Sequence, residues 1–185
     1  MRKSLFFIAA LCAVFLAGCS DSDKPSGDLL HDKAAIKKAV EGMKSAGGGT
    51  PLMIYQDVIW DTDYININRQ DKDKPTNIDN FTYSSATGWQ GPTPVTPKSE
   101  AKLEESLFDA DKVNWEAIAE FVARVEKEAQ EENMEKIKID NVMVVFKRDE
   151  KGIDLKFFAT VKGENNEAVA SGDTQTGELL DFEIR

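Results

Sequence analysis

Apolar and polar positions follow one another along this chain in two periods, one helical and one extended. Residues 5–16 are almost wholly apolar. Residues 20–30 turn polar and carry Pro25 and Gly27, the composition of a flexible tether. Ile36, Ala39, Val40 and Met43 then recur at i, i+3, i+4 and i+7, which predicts an amphipathic helix with Asp32 as its N-cap. Gly47-Gly48-Gly49-Thr50-Pro51 ends that pattern. Strand-like runs follow at 52–60, 64–70 and 78–84, the last two separated by Asp71-Lys72-Asp73-Lys74-Pro75. Thr87-Gly88-Trp89 predicts a turn, and Pro92, Pro94 and Pro97 predict an extended linker.

The second half repeats this plan with a cleaner pattern. Asn114 is placed to cap a helix that carries Trp115, Ile118, Phe121, Val122 and Val125 on one face. Residues 137–147 are rich in strand formers. In the next run Ile153, Leu155, Phe157, Ala159 and Val161 alternate with more polar neighbours, the mark of an antiparallel sheet with one buried face. Residues 168–171 predict a third strand, 173–178 a turn, and Leu180, Phe182 and Ile184 a closing strand. The pattern predicts an α+β protein of two tandem units, each a helix packed on an antiparallel β-sheet. Residues 19–31 form the tether, 32–97 the first unit with its proline-rich linker, and 98–185 the second. A unit of roughly 70 residues without disulfides is marginal alone, so the two are expected to pack together.

The N-terminus has the three parts of a secretory signal: Arg2 and Lys3, a short apolar stretch, and small residues before a cut. About a dozen apolar residues are too few to span a bilayer, which takes roughly 20. Leu16-Ala17-Gly18-Cys19 follows and resembles the lipobox of bacterial lipoproteins. That resemblance implies residues 1–18 as a lipoprotein signal peptide, a diacylglyceryl thioether on Cys19, and cleavage before it. Two acyl chains hold a protein stably on a membrane surface without crossing it. Ser20 at the position after the cysteine implies, by the same resemblance, the outer membrane facing the periplasm rather than the inner membrane.

Charge and cysteine content narrow the chemistry. The chain has 23 Lys and Arg against 33 Asp and Glu, a net charge of −10, and loss of Arg2 and Lys3 would take it to −12. Such acidity argues against nucleic acid as a partner, since phosphate binding needs basic clusters. Of the two cysteines, Cys12 leaves with the signal and Cys19 carries lipid, so thiolate metal sites and cysteine nucleophiles are not expected. His31 is the sole histidine and lies beside the tether, a poor position for a catalytic base or a zinc ligand. Asp71, Asp73, Asn77 and Asp79 invite a calcium reading. Counted from Asp71, however, Pro75, Thr76 and Thr82 fall where an EF-hand loop needs an oxygen ligand, glycine and glutamate. No cofactor and no metal are expected.

Residues 169–180, Val-Ala-Ser-Gly-Asp-Thr-Gln-Thr-Gly-Glu-Leu-Leu, are similar to the closing hairpin of PepSY-like domains. The helix starting at Trp115 and the strand from Ile137 follow that domain's order. Tandem units of this shape also resemble the β-lactamase inhibitory protein-like fold. Neither family brings catalytic residues, and the resemblance implies binding or inhibition. The expectation is therefore a non-enzymatic, membrane-anchored lipoprotein of the cell envelope with a binding or accessory role towards a protein or peptide. The alternative is an inhibitor of an envelope peptidase or other hydrolase. Trp89, Trp60 and Tyr83 are the candidate partner-binding residues, because aromatics supply interface anchors. Trp89, beside a turn and the proline-rich stretch, is the most exposed by position.

Overall fold

The computed structural model of the chain describes residues 27–46, 51–97, 103–150 and 152–185. The signal peptide, Cys19, most of the tether and the glycine run at 47–49 lie outside the described residues.

Helix α1 (Lys33–Ala46) starts where its pattern predicts: the Asp32 carboxylate accepts hydrogen bonds from the backbone N–H groups of Ala34 and Ala35. It buries Ala35, Ile36, Ala39 and Met43. The run at 52–60 divides into β1 (Met53–Tyr55) and β2 (Val58–Asp61), because Gln56 takes a positive φ of 60° between them. Then come β3 (Tyr64–Gln70), β4 (Ile78–Ser84) and β5 (Gly88–Val95). β6 (Leu107–Asp109) precedes α2 (Ala117–Glu131). β7 (Lys138–Asp149), β8 (Gly152–Lys162), β9 (Glu167–Asp173) and β10 (Leu179–Ile184) complete the chain.

The expectation of two tandem units, each a helix on its own sheet, is overturned. The protein is mainly β: among the described residues all ten strands join one antiparallel sheet, with two α-helices on it. Two pairings erase the boundary between the halves. β2 pairs with β7 from Val58↔Val144 to Asp61↔Asn141, and β6, from the second half of the chain, pairs with β1 through Ile54↔Phe108. Open edges within each half would leave rows of backbone donors and acceptors without a ladder, and pairing them across the midpoint satisfies both. The stretch read as a proline-rich linker is also different. Gly88–Val95 is an outer strand, β5, because prolines that cannot donate to a ladder are tolerated on an edge.

One face of the sheet is covered. α1 packs against β5, and α2 against β8, β9 and β10. Beneath them Trp60, Ile65, Ile67, Val142, Val144, Phe157 and Val161 form a continuous core with the helix residues Ile36, Phe121 and Val125. A smaller cluster of Tyr55, Ile78, Leu103 and Leu107 closes around the β1–β6 end of the sheet. The closing hairpin is fixed by its turn. The Asp173 carboxylate accepts hydrogen bonds from Gln175 N, Thr176 N and Thr176 Oγ1, and these bonds hold its pKa below the usual carboxylate value. Gly177, at φ 69°, lies so close to α2 that an added Cβ would stand 2.5 Å from the Ala117 carbonyl oxygen. Asn114 does not cap α2 with its side chain; its amide donates instead to Gln175 O in this turn.

Trp60 is fully buried at the seam between the halves. Its ring stacks on Trp115 at 5.3 Å, and its Nε1 donates to Leu29 O at 2.7 Å. The segment before α1 is thus tied under the sheet, with Leu29 and Leu30 inaccessible to solvent. His31 adds a second tie on the outside: its Nδ1 lies 2.8 Å from Asp28 Oδ2 and its Nε2 3.1 Å from Glu126 Oε1 on α2. Partial burial lowers the His31 pKa, but the hydrogen bonds to Glu126 and Asp28 outweigh it, so the net shift is upward.

Two outcomes follow. Trp60→Phe removes the indole donor and leaves the Leu29 carbonyl buried without it, and should cost about 1–3 kcal/mol. Trp60→Ala should cost about 3–5 kcal/mol. Urea unfolding monitored by circular dichroism checks both. His31 contributes stability as a cation held between two carboxylates. That contribution is complete below about pH 6.5 and fades as pH rises through the elevated folded value. The melting-temperature gap between wild type and His31→Ala should therefore be wider at about pH 5.5 than at about pH 8.5.

Candidate functional site

The sequence's aromatic candidates separate sharply in the structure. Trp60 belongs to the core. Tyr83 on β4 is buried beneath Trp89, their rings tilted at 5.4 Å. Trp89 is half-buried and is the one of the three that lines an open groove.

Trp89 sits on β5, the strand against which α1 packs. Its Nε1 donates to the Ala39 carbonyl at 2.8 Å. The indole reaches the helix because residue 42 is glycine: a Cβ there would stand 2.7 Å from Trp89 Cδ1. These contacts fix the second half of α1 against β5. Between them opens a cavity of about 480 Å³, walled by Phe81, Trp89 and Pro92, with Arg69, Asp71 and Asp79 supplying charge.

Arg69 is the residue that the sequence reading missed. It is 7% exposed, and its guanidinium lies 4.8 Å from the centre of the Phe81 ring. It faces Asp79 across the β3–β4 ladder. Desolvation lowers its pKa, while the charges of Asp79 and Asp71 push it back up. A signal was present: in Tyr64-Ile65-Asn66-Ile67-Asn68-Arg69 the alternation puts Arg69 in register with Ile65 and Ile67, the buried side. The acidic loop is partly used in its own turn, since Asp71 Oδ1 accepts from Asp73 N and Lys74 N. Among the described residues no group of three or more His, Cys, Asp or Glu is placed to hold a metal ion.

The groove thus offers an aromatic wall, a buried guanidinium and carboxylates within one concavity. Such an arrangement can seat a small polar ligand or a side chain from a partner, orienting it by charge and excluding water on its aromatic side.

No family model matches the chain, and no curated protein matches it. The PepSY-like resemblance accordingly finds no support there, and neither does the inhibitory role it implied. Among solved structures, the chain is similar to the crystal structure of a candidate lipoprotein from Clostridium difficile 630, with a TM-score of 0.52 and 14% sequence identity. The match covers 80% of this chain and 91% of that one. At that identity the likeness is one of fold.

Proposed function

We propose that the protein is a lipid-anchored lipoprotein of the cell envelope whose folded body binds a partner and carries out no chemistry. The observation that carries the reading is Leu16-Ala17-Gly18-Cys19 placed directly after a signal-like apolar stretch. The fold shared with a candidate lipoprotein supports it from an independent direction. Two acyl chains on Cys19 hold the body at a membrane surface, and Ser20 favours the outer membrane on its periplasmic side. The described body begins with the buried Leu29 and Leu30, about ten positions after Cys19 in the sequence. The groove below Trp89 is the part of that body best shaped to take a ligand. Its mixed charge suits a polar or zwitterionic group better than a lipid tail.

Cys19→Ser is the direct test of the anchor. Metabolic labelling with an acyl probe should mark the wild type and leave the mutant unmarked and uncleaved at residue 18. Equal label on both proteins would exclude the lipoprotein reading. The groove is tested by Gln90→Trp, an exposed position on its rim that an indole would fill. A partner recovered with the intact lipidated protein from solubilised envelopes should be lost with this variant, while the melting temperature stays unchanged.

A further inference from the structure

Among the described residues the sheet has three outer strands, β5, β6 and β10; β6 is only three residues long, and the other two are of opposite character. On β5, Pro92 and Pro94 have no N–H, which deprives any added ladder of donors and protects that edge. β10 has no such guard. Its sequence, Leu-Leu-Asp-Phe-Glu-Ile, contains no proline, glycine or lysine. Its inner edge is taken up by β9 from Leu179↔Gly172 to Ile184↔Ala168, and no described strand lies along its outer edge. Leu180 and Ile184 are 52% and 41% exposed, two of the four large apolar residues exposed among the described ones. Asp181 and Glu183 alternate with Phe182 and are exposed as well.

We infer that the outer edge of β10 accepts an extended segment of a partner protein in which basic residues alternate with apolar ones. An exposed ladder of this kind supplies backbone hydrogen bonds, and the alternating side chains set the choice of partner. Opposite Asp181 and Glu183, lysine or arginine completes cross-strand ion pairs. Opposite Phe182 and Ile184, aliphatic residues extend the covered face of the sheet. A second copy of the chain is the wrong occupant on charge. Antiparallel self-pairing centred on Phe182 sets Asp181 against Glu183 twice, and centring it on Asp181 or Glu183 sets that residue against itself; the Glu183 register would also set Asp181 against Arg185, but Arg185 lies beyond the end of β10. Like charges directly opposite destabilise a strand pair, and the net charge of −10 adds to the repulsion.

The probe is a dye-labelled seven-residue peptide of alternating lysine and valine, titrated into the full chain in detergent at about 0.15 M salt and read by fluorescence anisotropy. A glutamate–valine peptide and two alternately N-methylated versions of the lysine peptide, one for each edge, complete the set. The lysine peptide should bind saturably and the glutamate peptide should not. The version methylated on the pairing edge should bind roughly tenfold more weakly or worse. Asp181→Lys with Glu183→Lys should reverse the preference between the two charged peptides. Equal binding of the parent and both methylated peptides would reduce the effect to bulk charge and overturn the inference. Sedimentation of the protein as a dimer that Leu180→Lys dissociates would make a second copy the occupant and overturn it too. The methylation comparison uses the unaltered protein, so it decides the matter even if the charge-reversed variant does not fold.

Discussion

The stacking of Trp60 on Trp115 is the contact on which the rest of the architecture depends. Trp60 stands on β2, the strand that joins the first half of the sheet to β7, and Trp115 lies just before α2. A single pair of rings therefore fixes strand to strand across the chain midpoint and helix to sheet at once. The indole N–H of Trp60 draws a third element in, the Leu29 backbone ahead of α1. Large aromatics contribute through buried area first and ring geometry second, and here the area lies where the two halves of the chain share one core. Trp115 is held in turn by its own Nε1, which donates to Ala110 O at 3.1 Å. Both indoles have their polar atoms satisfied, so their burial carries no desolvation penalty left open.

The same seam secures the start of the described body, residues 27–31. Leu29 N donates to Thr62 O and Leu29 O accepts from Trp60, so this segment is bonded to β2 and to the turn that follows it. His31 bridges Asp28 and Glu126, and Lys33 pairs with Glu120, which tie the same segment to α2. Exposed ion pairs are individually weak; the firmer hold on this segment is the burial of Leu29 and Leu30.

Local structure was legible in the sequence wherever one face of an element is buried, and pairing was not. The β8 alternation holds because Phe157, Ala159 and Val161 face the core while their neighbours do not. The Asp32 cap held because it depends on the adjacent backbone alone. The partner of β2 depends on a residue some eighty positions away, and no periodicity encodes that. β6 is three residues long and lies below the length at which alternation can be recognised. The prolines of β5 carry the same signal in an edge strand as in a linker. In the site the opposite holds: Trp89 stood out as a residue type, whereas Arg69 needed the register of its strand to be taken literally.

That literal register explains why the groove exists. An arginine on the apolar side of β3 cannot be covered as Ile65 and Ile67 are, because its charge must keep partners in a poorly solvated place. Asp79 and Asp71 supply countercharge from beside it, and Phe81 supplies a ring face from the same side of the sheet. α1 ends at Ala46, on the rim of the cavity, and Trp89 holds the middle of the helix through the Ala39 carbonyl. The core therefore stops at Arg69 instead of closing over it. A Leu at this position would let the sheet continue as buried surface, and the cavity would lose its buried cation. The same two features that interrupt the packing, a cation at an inward position and an indole wedged against Gly42, are the ones that give the groove its chemistry.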